Sequence, residues 1–326
     1  MGFARTIDFI DSGTQGLYGA AETTRVCMQP ISSRPAARVP VNGIELCYDT
    51  FGDRSSPPLL LIMGLGTQMI AWEEAFCEEL AGRGYFVVRF DNRDVGLSSK
   101  LSQHGMPDVV SLFSQALMGK PVKAPYALRD MANDTVGLLD ALDIERAHIV
   151  GASMGGMIGQ EMAIHHPQRM LTLTSIMSST GDPKLPTATP EAMAVLFAPP
   201  AKTREAFIEN YKRVWTVLRG PGFPLDAAKD PERAARVWDR GVNPEGRARQ
   251  LVAILASGDR TAALANVRVP TLVIHGDIDP LARYEGGVAT AKAIPGARLV
   301  TIKGMGHALP IPLWPQLIDA IAGHAR

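Results

Sequence analysis

A chain of 326 residues, 46% hydrophobic and 20% charged, has the make-up of a globular protein that buries a full core without disulfide or metal staples. Its 33 Lys and Arg balance 33 Asp and Glu, so no basic excess points to nucleic acid or an acidic membrane surface as partner. Cys27, Cys47 and Cys77 are too few and too scattered for a disulfide framework or a zinc pattern, and no apolar run approaches the ~18 residues of a membrane span.

Residues 1–36, rich in Gly, Ser, Thr and Arg, are expected to form an arm that is loosely ordered or covers part of the fold. Asp8 and Asp11 interrupt any signal-peptide core, so a cytoplasmic location is expected. Asn42-Gly43, between two alternating apolar stretches, predicts a hairpin, because both residues accept positive φ. PLLLIM (58–63) and YFVVRF (85–90) read as strands buried on both faces. Between them, residues 69–82 have a helical period carried by Ile70, Phe76 and Leu80. A helix over 126–142, a strand over 147–150, a helix over 154–166 that stops before Pro167 and a strand over 171–177 follow. From 182 to 265 the alternation ceases. This stretch is helix-like and polar-faced, with Tyr211, Val214, Trp215 and Leu218 at helical spacing. The pattern resumes with a strand (271–276), a helix (285–293), a strand (297–302) and a last helix (313–323). Strands alternating with helices predict a parallel sheet with helices on both faces. The insert is too long for a simple crossover and is expected to sit as a lid above the carboxyl ends of the strands, where such sheets bind ligands.

Gly151-Ala152-Ser153-Met154-Gly155 lies between a predicted strand and a predicted helix, the context that gives a G-x-S-x-G run its meaning. A tight turn there pushes the Ser153 hydroxyl into open space, and small neighbours let the helix double back on the strand. A serine hydroxyl is a poor nucleophile without a base, and the base needs an orienting carboxylate. His307, in GMGHALP, and Asp279, in HGDIDPLAR, each follow a late strand and stand in the order serine, acid, histidine. Asp277 competes with Asp279 for the orienting role. His275 with the two aspartates lacks the further ligands a metal would want. An oxyanion needs two preorganised donors. One is expected from the Met154 N–H and the other from Met63-Gly64-Leu65-Gly66, with Leu65 the choice.

MGLG after the third strand, DNRDVGLS (91–98) after the fourth, GASMGG, HGDIDP and GMGHALP together resemble the α/β-hydrolase superfamily over residues 38–325. The Met-Gly start of the oxyanion loop and the Asn-Arg-Asp-x-Gly run resemble its branch of anthracycline (aclacinomycin-type) methylesterases. The resemblance implies an α/β-hydrolase fold: a mostly parallel eight-stranded sheet, core residues 37–181 and 266–326, and a helical cap (182–265) inserted after the sixth strand. It implies a Ser153–His307–Asp279 triad, Leu65 and Met154 as oxyanion donors, and no cofactor or metal. The aspartate falls three residues after the glycine of HGDID, which favours Asp279 over Asp277. Met63 stands where many relatives have His, and Asp94 where many have Gly; neither change removes a backbone donor. Residues 99–124 are longer than usual and predict an extra helix at the mouth of the site. The expected activity is hydrolysis of a small to medium apolar carboxylic ester through an acyl-enzyme, by a monomer or homodimer. Met63, Met69, Phe207 and Trp215 are expected to line the substrate pocket. The same triad suits a lactonase, a carbon–carbon bond hydrolase, an acyltransferase or a perhydrolase, and the bare scaffold suits a small-molecule receptor.

Overall fold

Asn42 and Gly43 take positive φ values of 48° and 77° and close the hairpin between β1 (Arg34–Val41) and β2 (Ile44–Phe51). In the computed structural model, which describes residues 34–224 and 226–326, six more strands follow. They are β3 (Pro58–Ile62), β4 (Phe86–Phe90), β5 (Ala147–Ala152), β6 (Met170–Ile176), β7 (Thr271–Gly276) and β8 (Arg298–Ile302). The helices are α1 (Glu74–Gly82), α2 (Val109–Leu117), α3 (Leu128–Ala141), α4 (Met154–His165), α5 (Pro190–Leu196), α6 (Arg204–Arg219), α7 (Lys229–Asp239), α8 (Pro244–Ser257), α9 (Thr261–Leu264), α10 (Tyr284–Ala293) and α11 (Trp314–His324). β1 belongs to the sheet from Arg34, so the last residues of the expected arm are strand; the rest of the arm, with Cys27, lies outside the described residues.

The sheet runs β1-β2-β4-β3-β5-β6-β7-β8. β2 pairs antiparallel with both its neighbours, and every pairing from β4 to β8 is parallel. Successive side chains of a strand point to opposite faces, and β3 shows the consequence. Leu60 and Ile62 pack with Met131 and Leu138 of α3 and Ile158 and Met162 of α4. Leu59 and Leu61 pack with Phe76 and Leu80 of α1 and Leu317 and Ile321 of α11. Each such buried Leu or Ile is worth about 1.5–3 kcal/mol, which is why strands this apolar sit between two helical layers. Among the described residues, no helix is long and apolar enough to cross a membrane.

The helix expected over 69–82 is broken. Met69–Ala71 form a single tight 3-10 turn, and α1 starts only at Glu74. The Trp72 carbonyl is drawn off by the Arg89 guanidinium, and the Met69 N–H donates to Asp91 Oδ1 at 2.8 Å. These long-range partners outcompete the helical ones.

Helices α5 to α9 fill the interval between β6 and β7, making the cap inserted after the sixth strand. Thr203 and Asn243 cap α6 and α8, accepting from Ala206 N and Gly246 N, and Pro244 opens α8 where a missing N–H costs nothing. The cap is tied to the sheet by a buried ion pair. Asp94 and Arg249 are both fully buried and meet at 2.7 and 2.9 Å. Asp94 also accepts from Tyr126 Oη at 2.9 Å and Leu101 N at 2.8 Å. Its φ of 69° is a conformation that glycine adopts most easily, so an aspartate there costs backbone strain, while its carboxylate secures α8 to the core. Burial raises the Asp94 carboxyl, but Arg249 and the other donors outweigh it and hold it below its ordinary value. Arg249→Met strands this carboxylate and is expected to lower the unfolding free energy by about 3–5 kcal/mol. The double variant Asp94→Gly, Arg249→Met is expected to lose much less than the sum of the two single losses. Denaturant unfolding of the four proteins measures this, and strictly additive losses would show that the pair is not coupled.

Candidate active site

The carboxyl ends of β5, β7 and β8 supply the centre of the site. Ser153 follows β5 with φ 56° and ψ −119°, an uncommon conformation for a residue with a side chain, costing on the order of 1–3 kcal/mol. The turn that imposes it needs its glycines. A Cβ on Gly151 would stand 2.1 Å from Gly155 O, and one on Gly155 would stand 2.2 Å from Ile62 O. α4 therefore rises against β5 and β3 at a distance only glycine allows.

His307 lies in the loop after β8, and its Nε2 is 2.9 Å from Ser153 Oγ. Its Nδ1 is 2.7 Å from Asp279 Oδ2. Asp279, in the loop after β7, uses its other oxygen to accept from Leu281 N and Ala282 N at 2.8 and 2.9 Å. Burial alone would raise the Asp279 carboxyl. The charges and hydrogen bonds of His307 and His275 outweigh burial and hold it down to about 2. Asp277 points elsewhere: it is exposed, and its Oδ1 accepts from Gly304 N at 2.7 Å, bracing the two loops together. His275 is fully buried and bonds the Ala282 carbonyl at 2.6 Å, with Asp279 Oδ2 3.5 Å away.

β3 is the immediate neighbour of β5, which brings the Met63–Gly66 loop alongside the serine. A Cβ on Gly64 would stand 3.5 Å from Ser153 Oγ. Asn92 Nδ2 donates to Met63 O at 3.0 Å, and Gly66 N donates to Gln250 Oε1 of α8 at 2.7 Å. Among the described residues, Leu65 N–H meets no acceptor in this loop. Met154 begins α4, so its N–H belongs to the unpaired first turn of a helix. Asn92 and Gln250 were not among the residues singled out from sequence; Asn92 stands inside the DNRDVGLS run, whereas nothing around Gln250 marks it.

Ser153 and His307 open on a cavity of about 900 Å³, within the usual size of small-molecule sites. Met63, Leu65, Phe207 and Trp215 line it, as do Met106 and, from α2, Val109 and Val110. Phe207 and Trp215 belong to an aromatic row that runs Trp238, Phe207, Tyr211, Trp215. Met69 does not face the cavity. Its side chain is 1% exposed and packs with Cys47 and Ile70, because the 3-10 turn rotates it into the core. The Met154 side chain is likewise fully buried, leaving only its backbone to the site.

A serine, a histidine and an aspartate so joined, at the carboxyl ends of a parallel sheet and beneath a helical cap, define a serine hydrolase of the α/β-hydrolase class. The family model described as alpha/beta hydrolase fold matches residues 57–312, and the chain belongs to that family. It is 31% identical over 312 residues to rhodomycin D methylesterase from Streptomyces sp. strain C5, covering 90% of this chain and 98% of the relative. It is 30% identical over 246 residues to 3-oxoadipate enol-lactonase 2 from Acinetobacter baylyi, covering 75% and 79%. Among solved structures, a hydrolase from Pseudomonas aeruginosa PA01 superposes with a TM-score of 0.65 at 28% identity, covering 89% of this chain and 97% of the other.

Proposed function

We propose that this protein hydrolyses a carboxylic ester of a small to medium apolar molecule through an acyl-enzyme on Ser153. The observation that carries the reading is the unbroken hydrogen-bonded series Ser153–His307–Asp279 opening on a largely apolar cavity. In the proposed cycle, His307 Nε2 takes the Ser153 proton as Oγ attacks the ester carbonyl. Asp279 holds the proton on Nδ1 and balances the imidazolium charge. The N–H groups of Leu65 and Met154 receive the oxyanion, whose charge is largest in the transition state. His307 then gives its proton to the leaving alcohol, and water repeats the sequence on the acyl-enzyme. No cofactor enters the cycle. The relatives named as methylesterases support a simple alkyl ester as the bond cleaved.

Residues 182–265 act in this reading as a lid over a core of 37–181 and 266–326, which is supported by the share of the cavity wall that α6 and α8 provide. The buried free thiols of Cys47 and Cys77 support a reducing, cytoplasmic setting, where the protein works as a monomer or homodimer.

Intact-mass measurement after exposure to a fluorophosphonate tests the assignment. One phosphonyl adduct is expected, mapped to Ser153 and absent from His307→Ala. Folded wild-type protein that takes up no adduct would sink the reading and favour a receptor on the same scaffold.

A further inference from the structure

Arg247 projects from α8 into the cavity that holds Ser153 and His307. Its stem crosses the loop beside the serine: a Cβ on Gly66 would stand 2.8 Å from Arg247 Cγ and 2.9 Å from Cδ. Gly66 is two residues from Gly64, so at most about 7 Å of extended chain separates this crossing from the nucleophile's neighbour. Beyond it the guanidinium reaches the end of α5, where Nη2 donates to Leu196 O at 2.7 Å.

A guanidinium carries five N–H donors, and among the described residues Arg247 uses one. No carboxylate among the described residues lies within 4.0 Å of it. The other arginines on this cavity wall are all paired: Arg219 with Asp230, Arg233 with Glu73 and Asp230, and Arg236 with Glu74. Arg247 is half-buried on a cavity wall that it shares with Val195 and Phe197, and withdrawal from water pulls its guanidinium below the ordinary value. A desolvated cation without a counter-charge is costly. A planar fork with spare donors is also the group best suited to a carboxylate or a similar anionic oxygen.

We propose that Arg247 is a substrate-recognition residue that takes an anionic oxygen, a carboxylate or an ionised phenol, carried by the substrate away from its scissile ester. The proposal rests on the ester-hydrolase reading above and deepens it: the substrate is an acidic ester whose apolar body fills the cavity between Ser153 and Arg247.

Two matched pairs of esters test it. One is the monomethyl against the dimethyl ester of a six-carbon dicarboxylic acid. The other is a nitrophenol-bearing methyl ester against its methyl ether. Wild-type protein is expected to prefer the anionic member of one pair by at least about tenfold in kcat/KM, and that pair identifies the source of the anion. Arg247→Met is expected to cut kcat/KM for the anionic member by about 10–100-fold, mainly through KM, and to leave the neutral member within about threefold. Arg247→Lys should recover part of the preference. Absence of preference in both pairs, or an equal loss on both members in Arg247→Met, overturns the proposal; the equal loss is what a purely structural bond to Leu196 predicts. Fluorophosphonate labelling of every variant separates the two readings. Labelled protein without anion preference sinks the role of Arg247 alone. If the wild type does not label, the ester reading falls, and calorimetry with the free dicarboxylate, with binding expected in wild type and lost in Arg247→Met, still decides for or against the anion site.

Discussion

Ser153→Ala is expected to lower kcat by roughly five orders of magnitude on any ester the protein turns over, with little change in KM. The expectation follows from what the hydroxyl does and what the rest of the turn does without it. Ser153 Oγ is the atom 2.9 Å from His307 Nε2, so its removal leaves the base with nothing to activate. The elbow itself is held by other groups: Ser153 N donates to Ile176 O at 2.8 Å, Ser153 O accepts from Gly156 N at 2.9 Å, and Gly151 and Gly155 permit the close approach of α4. Alanine keeps the Cβ and therefore keeps the strained φ. The variant should fold with a stability within about 1 kcal/mol of wild type. It should also still bind substrate, because the cavity and the oxyanion donors are unaltered. Activity that survives in purified, folded Ser153→Ala within tenfold of wild type would falsify the nucleophile assignment and with it the acyl-enzyme.

The parts of the site that could be read from the sequence are those whose meaning is local. Gly151 to Gly155 declares a strand-to-helix turn because the helix must pass the strand at glycine distance, and that constraint falls within five residues. β3 is legible because a strand buried on both faces leaves a continuous apolar run, here PLLLI. What escaped was fixed across the chain. Gly66 N and Gln250 Oε1 are 184 residues apart, and no pattern near either residue names the other. Arg247 carries no mark that separates it from Arg236 or Arg249; only the fold shows that those two meet carboxylates. Met69 failed for the same reason. It stands at the start of the stretch read as one helix, but Asp91 and Arg89 convert the first part of that stretch into a 3-10 turn and carry the side chain into the core.

The HGDID segment offers a second large effect that separates two acidic residues only two positions apart. Asp279→Asn is expected to lower kcat by about 10⁴-fold, and Asp277→Asn by less than about threefold. Asp279 Oδ1 already accepts two backbone N–H groups, from Leu281 and Ala282. In the variant the asparagine carbonyl keeps that place, which turns its NH₂ toward His307 Nδ1. An amide donor there drives the ring proton to Nε2, the nitrogen that must accept the proton of Ser153. The base is thus present, correctly placed and in the wrong tautomer. At Asp277 the asparagine carbonyl can still accept from Gly304 N, so the loop brace survives. Stability against pH distinguishes the residues a second time. The Asp279 carboxyl sits at about 2 in the folded protein, below the ~3.9 of an unfolded chain. Its contribution is therefore complete above about pH 4 and is lost as the pH falls through about 2. Asp279→Asn should make that acid decline shallower, as read by unfolding midpoints across the range. If Asp277→Asn proves the more damaging to turnover, the orienting carboxylate is Asp277, and the hydrogen bonds that turn Asp279 toward His307 serve the loop rather than the chemistry.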